Sequence, residues 1–133
     1  MQSTRILRLL AVDDDASSAE LIVRVAERCG YEAFATSDSR GALTLAKALN
    51  PDIMAVDINM PNIDAVGLFE LLAAANYLGR ILIVSGEDEK VLRETQAKAV
   101  ALGLLAPYVQ QKPLDFQKLR DMLMARDVRS AAA

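Results

Sequence analysis

The chain has 133 residues, enough for one domain of ordinary size and no second. Hydrophobic residues make up 53% and charged ones 25%, a balance that selects a packed globule over a disordered chain, and a net charge of -3 without a basic cluster argues against binding nucleic acid or anionic membrane. There is no histidine, which excludes histidine triads, histidine zinc sites and phosphohistidine carriers, and the lone Cys29 excludes an intrachain disulfide or a cysteine metal site.

In chain order, residues 6–12 read as a strand that ends in three aspartates. Residues 16–29 follow with Ile22, Val25, Ala26 and Cys29 at helical spacing, and Gly30 marks the stop. Residues 31–36 read as a second strand. Asp38 or Ser39 can cap the next helix, whose Ala42, Leu45, Ala46 and Leu49 share a face before Pro51 breaks it. A third strand is predicted over 53–57 and a helix over 64–76. The run Ile81-Leu82-Ile83-Val84 places a fourth strand over 80–85, followed by a long helix over 88–102 closed by Gly103. A short fifth strand is expected over 108–111 and a last helix over 114–126, with Leu119, Met122 and Leu123 facing inward. The tail, 127–133, is expected to fray. No apolar run approaches the ~18 residues of a membrane span, and Gln2-Ser3-Thr4 after Met1 does not read as a signal peptide, so a cytoplasmic chain is expected.

Five strands each followed by a helix imply an α/β fold: a doubly wound parallel sheet covered by helices on both faces. Right-handed crossovers then bring every strand's carboxyl end to one edge, where ligands bind in open α/β sheets. The first strand ends at Asp13-Asp14-Asp15, the third at Asp57, the fourth at Ser85 and the fifth at Lys112-Pro113. The steps are 57 − 13 = 44, 85 − 57 = 28 and 112 − 85 = 27 residues. A βαβ unit takes roughly 30 residues, so the first step spans two short units and the others one each, consistent with one shared site.

The chemistry of that set is specific. Carboxylates packed together repel, and their pKa values rise unless a cation neutralises them. The oxygens of Asp13, Asp14 and Asp57 suit a hard ion such as Mg²⁺, with the remaining positions filled by water and a backbone carbonyl, for which Asn59 is well placed. An aspartate can attack phosphorus to give an acyl phosphate, and the charge on the transferred oxygens then needs Mg²⁺ and an ammonium. Lys112 is the candidate ammonium and Ser85 a candidate hydroxyl donor. Plainer readings fit other residues: Asp15 and Asp64 as helix caps, Pro61 as a rigid loop residue, Cys29 as inert core and the stretch from Glu87 to Lys90 as a solvated helix start.

The pieces Val12-Asp13-Asp14-Asp15, Asp57-Ile58-Asn59-Met60-Pro61, Val84-Ser85-Gly86 and Lys112-Pro113, in that order at the strand ends, resemble the receiver domain of two-component response regulators over about residues 5–126. The resemblance implies a flavodoxin-like (βα)5 fold with strand order 2-1-3-4-5. It implies Mg²⁺ at Asp13 and Asp14, and phosphorylation of Asp57 from a phosphohistidine on a sensor histidine kinase or histidine phosphotransfer protein. It further implies that Ser85 and Lys112 sense the phosphoryl group and help reposition the loops after strands three to five. Such a protein passes its signal to a downstream protein partner, or to a second copy of itself, and catalyses nothing beyond its own phosphorylation and dephosphorylation.

Three departures stand out. Ala65 occupies a position where the family usually has Gly, which predicts a different backbone path there. The nine-residue step from Gly103 to Lys112 is about two longer than in the commonest receivers and, with Leu104, resembles receivers found ahead of EAL-type domains. Val109 occupies the usual place of the family's switch aromatic, with Tyr108 one residue earlier, which reads equally as a partner-facing ring or a displaced switch. Ala65 and the lengthened step before Lys112 motivate an alternative, a receiver-like binding module that works without phosphorylation. A phosphatase with an aspartyl nucleophile is a weaker rival, because Asn59 stands where such enzymes carry a second acid. A nucleotide-binding fold is weaker still, since no Gly-rich loop follows the first strand.

Overall fold

The computed structural model describes residues 5–59 and 64–125. Its elements alternate throughout: β1 (Arg8–Val12), α1 (Ala16–Arg28), β2 (Glu32–Thr36), α2 (Ser39–Leu49), β3 (Ile53–Asp57), α3 (Ala65–Ala74), β4 (Arg80–Ser85), α4 (Glu89–Ala101), β5 (Leu105–Gln111) and α5 (Phe116–Met124). The strands form one parallel sheet in the order β2-β1-β3-β4-β5, the doubly wound, flavodoxin-like (βα)5 arrangement expected from the alternation and the family resemblance.

Side-chain alternation along the central strands divides the core in two. Leu10, Val12, Met54, Val56, Ile81 and Ile83 face α2, α3 and α4, where Ala42, Leu68, Phe69, Leu72 and Leu92 cover them. Leu9, Ala11, Ile53, Ala55, Leu82 and Val84 face α1 and α5, under Ile22, Ala26, Leu119 and Leu123. Burial on both faces explains why β3 and β4 read as unbroken apolar runs. At the far edge of the sheet the buried Asp52 ties the strand starts together. Its carboxylate accepts the Arg8 N–H at 2.8 Å and pairs with Arg5, while its carbonyl accepts the Arg80 N–H.

Each helix starts on an aspartate whose carboxylate accepts a backbone N–H of the first turn. Asp15, Asp38, Asp64, Asp88 and Asp115 serve α1 to α5 in that order. Asp15 and Asp64 are therefore caps, as their sequence context suggests. Gly30 and Gly103 stop α1 and α4 with φ of 89° and 91°, a left-handed turn that costs glycine least.

The structure corrects several boundaries. β1 starts at Arg8 rather than residue 6, α3 ends at Ala74 rather than 76, and α5 starts at Phe116 because Asp115 serves as its cap. The largest correction is β5, which starts at Leu105, three residues before the predicted Tyr108. Pro107 hides this segment from a sequence reading, since proline donates nothing to a ladder. It is tolerated because β5 is an edge strand and the register shifts at that point. Arg80 pairs with Leu105 but Leu82 with Tyr108, so β5 spends one extra residue in a bulge. The bulge absorbs part of the long step between Gly103 and Lys112. Ala65 sits buried at the first position of α3, outside the positive-φ residues, so no unusual backbone path is needed at that residue. The expectations for Met60 and Pro61, for residue 126 and for the 127–133 tail lie outside the described residues. Among those described, no helix is long and apolar enough to cross a membrane.

Phe69 is fully buried at the centre of the α2–α3–α4 face. Phe69→Ala is expected to cost about 3–5 kcal/mol, through lost transfer energy and the cavity left behind. Urea unfolding checks this, with a lower midpoint at unchanged slope as the expected result.

Candidate functional site

The parallel sheet places the ends of β1, β3, β4 and β5 side by side, and the chemistry-bearing residues meet there. Asp13 follows β1 and is 2% exposed, with its backbone N–H held by the Thr36 carbonyl at 3.1 Å. Its Oδ1 accepts the Asp15 N–H at 2.9 Å, which fixes the carboxylate across the turn into α1. Asp57 is the last residue of β3 and is 6% exposed, its Oδ1 accepting the Asn59 N–H at 3.1 Å. Asp14 is exposed at the rim. Ligand oxygens of Asp13, Asp14 and Asp57 all lie within 4.8 Å of one another.

Lys112 enters from the end of β5. Its backbone N–H donates to the Ser85 carbonyl at 2.7 Å, and the following peptide bond to Pro113 is cis. Its Nζ donates to Asp13 Oδ2 at 3.0 Å and to Asp57 Oδ2 at 3.5 Å. One ammonium thus spans the two buried carboxylates. Ser85 is fully buried, and its Oγ accepts the Glu87 N–H at 3.1 Å and faces Asn59 Nδ2 at 3.5 Å. All six sequence-selected residues therefore converge at this edge.

The electrostatics follow from this packing. Burial pushes the Asp57 carboxyl up to about 6, and the nearby Asp13 charge adds to the rise. The Asn59 N–H and the Lys112 charge oppose it. For Lys112, burial is the largest single influence and pulls its pKa down, but the hydrogen bond and charge of Asp13, with Asp57, outweigh it and hold the ammonium above its ordinary value. The Asp15 carboxyl is held low by the Ser18 hydroxyl and the Ser17 N–H, as suits an ionised cap. A set of three carboxylates with only oxygen donors suits a hard divalent cation, and a buried aspartate beside a lysine suits attack on phosphorus.

One residue escapes the sequence reading. Glu87 belongs to a charged stretch that reads as a solvated helix start. Its Oε2 accepts Asn59 Nδ2 at 2.9 Å, and its carbonyl accepts Gln111 Nε2 at 3.0 Å. Most of its bonds are made by its backbone and by a loop side chain, so no periodicity or spacing announces it. Tyr108 is also resolved. Its ring packs on the α1–α5 face, and its hydroxyl accepts from Arg80 Nη1 at 3.0 Å, whereas Val109 packs on the α4 face. One step along a strand reverses the face, so Tyr108 does not stand in for a ring at position 109.

Two buried carboxylates bridged by a lysine, with a rim carboxylate, at the carboxyl edge of a 2-1-3-4-5 sheet define a flavodoxin-like (βα)5 domain with an acidic site. The sequence pattern of the response regulator receiver domain matches residues 9–124, and the chain belongs to that family. It is 32% identical over 111 residues to the positive alginate biosynthesis regulatory protein of Pseudomonas aeruginosa, covering 81% of this chain and 44% of that protein. It is 30% identical over 83 residues to the alkaline phosphatase synthesis transcriptional regulatory protein PhoP of Bacillus subtilis, covering 62% of this chain and 35% of PhoP. The chain thus spans less than half the length of either relative. Among solved structures, a response regulator from Colwellia psychrerythraea aligns with a TM-score of 0.80 at 27% identity, over 94% of this chain and 99% of that one. The chemotaxis protein CheY4 of Vibrio cholerae aligns at 0.76 and 25% identity, over 90% and 97%.

The raised Asp57 carboxyl makes a prediction with a definite sign. The folded state holds this proton more tightly than the unfolded chain, so the ionised group opposes folding above about pH 6. Asp57→Asn is therefore expected to stabilise the fold by about 1–3 kcal/mol at pH 8, a gain that vanishes below about pH 4. Urea unfolding of both proteins across this range checks it. Lys112→Met is expected to raise the Asp57 carboxyl further, read by carbon NMR titration.

Proposed function

We propose that this receiver is a phosphoryl-accepting switch in a two-component relay. Asp57 takes the phosphoryl group in a Mg²⁺-dependent step from a phosphohistidine on a sensor histidine kinase or histidine phosphotransfer protein. The observation that carries this reading is the meeting of three carboxylates within 4.8 Å with the Lys112 ammonium, which donates to both buried ones. A carboxylate oxygen of Asp57 forms a bond to phosphorus while the bond from phosphorus to the donor imidazole breaks, leaving an acyl phosphate here and a free imidazole on the donor. Asp13, Asp14, Asp57 and the Asn59 backbone carbonyl would hold Mg²⁺, which when bound would supply charge neutralisation on the transferred oxygens.

The protein's own groups do the rest. Asn59 orients the Asp57 carboxylate through its N–H, and the Lys112 ammonium balances negative charge as it moves onto the aspartyl group. The new dianion then draws Lys112 and the Ser85 hydroxyl and biases a two-state equilibrium in the β4–α4 and β5–α5 units. That changes the face offered to a downstream protein or a second copy of the chain. The chain acts on no substrate beyond its own acyl phosphate, and we place it in the cytoplasm. The phosphorylation-independent alternative draws little support from Ala65 or the long step before Lys112, since a helical position and a bulge accommodate them.

Intact mass after incubation with acetyl phosphate tests the reading. A single phosphoryl adduct is expected on wild type with Mg²⁺, and none with chelator or on Asp57→Ala. An adduct that persists on Asp57→Ala would refute the site, and no adduct from either acetyl phosphate or a phosphorylated donor protein would favour the phosphorylation-independent module.

A further inference from the structure

Ser85 and its neighbours carry an inference that rests on the reading above and extends it to a residue outside the expected set. A hydroxyl has two acceptor lone pairs and one donor proton. Both acceptor positions of Ser85 Oγ face N–H groups: Glu87 N at 3.1 Å and Asn59 Nδ2 at 3.5 Å. Among the described residues no acceptor takes the Ser85 proton, so the remaining capacity of this buried hydroxyl is to donate.

The Asn59 amide could in principle face Ser85 with either its nitrogen or its oxygen. Glu87 decides which. Its Oε2 lies 2.9 Å from Asn59 Nδ2, and exchanging nitrogen for oxygen would set two acceptors against each other at that distance. The carboxylate therefore fixes the amide nitrogen toward Ser85. Glu87 is itself held by its N–H on Ser85 Oγ and by Gln111 Nε2 on its carbonyl. It links the loops after β3 and β4 to the end of β5. We infer that Glu87 is a positioning residue that, through the Asn59 amide, commits the Ser85 hydroxyl to donating its hydrogen bond to the phosphoryl group on Asp57.

Loss of the Glu87 side chain has two separable effects. It removes a negative charge near the site, which acts whatever residue stands at 85, and it frees the Asn59 amide, which acts only through Ser85. A double-mutant cycle separates them. Phosphoryl uptake from acetyl phosphate at saturating Mg²⁺ is followed by intact mass for wild type, Glu87→Ala, Ser85→Ala and the double variant. The ratio of the Glu87→Ala rate to the wild-type rate is expected to be lower, by about threefold or more, than the same ratio measured with Ser85→Ala in both proteins. Equal ratios would overturn the inference, because charge alone would then account for Glu87. Glu87→Gln removes the charge but keeps an acceptor, and is expected to restore part of the coupling. The side-chain amide proton signals of Asn59 provide a second readout, independent of phosphorylation. They are expected to shift in Glu87→Ala, and an unchanged signal would overturn the hydrogen bond on which the inference depends. Wild type that takes up no phosphoryl group from acetyl phosphate or from a phosphorylated donor protein, while the Asn59 signals shift, would instead overturn the phosphoryl-switch reading, and the role of Ser85 with it.

Discussion

Two carboxylates, Asp13 and Asp57, lie almost fully buried against one ammonium, that of Lys112, and the ends of β1, β3 and β5 are arranged around that contact. Buried acids this close repel each other, and without the lysine the Asp57 carboxyl would be driven further toward its neutral form. Burial is the main reason the Asp57 carboxyl stands well above its ordinary range; the Asp13 charge adds to the rise, and one ammonium shared between two carboxylates offsets only part of it. The fold thus holds an acidic centre that further positive charge would stabilise. Breaking a buried pair by removing one partner is costlier than never having built it, so Lys112 has a structural role in this centre.

The scaffold makes this centre by simple means. Apolar strands buried on both faces fix the register of the sheet, and the register fixes which residue stands last on each strand. Five helices begin on aspartates, each satisfying N–H groups that the helix itself cannot. Asp15 belongs to this second system although it adjoins the first in sequence. The run Asp13-Asp14-Asp15 therefore divides among three tasks: a buried partner for Lys112, a rim oxygen and a cap.

Much of this was legible in the sequence because it depends on chain-local signals. Apolar runs of strand length, helical spacing at Ile22, Val25 and Ala26, and polar residues at strand ends are all visible without coordinates. The start of β5 was not, because Leu105-Ala106-Pro107 lacks the β-branched, alternating character of a strand and is held there by its neighbour β4. Arg80 was equally opaque. A charged residue at a strand start suggests solvent, yet this one is 5% exposed, with its guanidinium against the Tyr108 ring and hydroxyl. Glu87 was hidden for a third reason: its bonds run to the end of β5 and to the loop after β3, 24 and 28 residues away in the chain, a distance over which a single sequence carries no pairing signal.

The bulge in β5 has a consequence for how other molecules can approach that margin of the sheet. An open strand edge is a template on which another strand can assemble. Here Pro107 contributes no N–H, the Ala106 carbonyl is already occupied by Gln96 Nε2 at 2.7 Å, and the irregular pairing disturbs the even spacing that an added strand would need. The first half of β5 is in this sense insulated against main-chain zippering. A molecule approaching along this margin meets side chains rather than an open row of backbone groups.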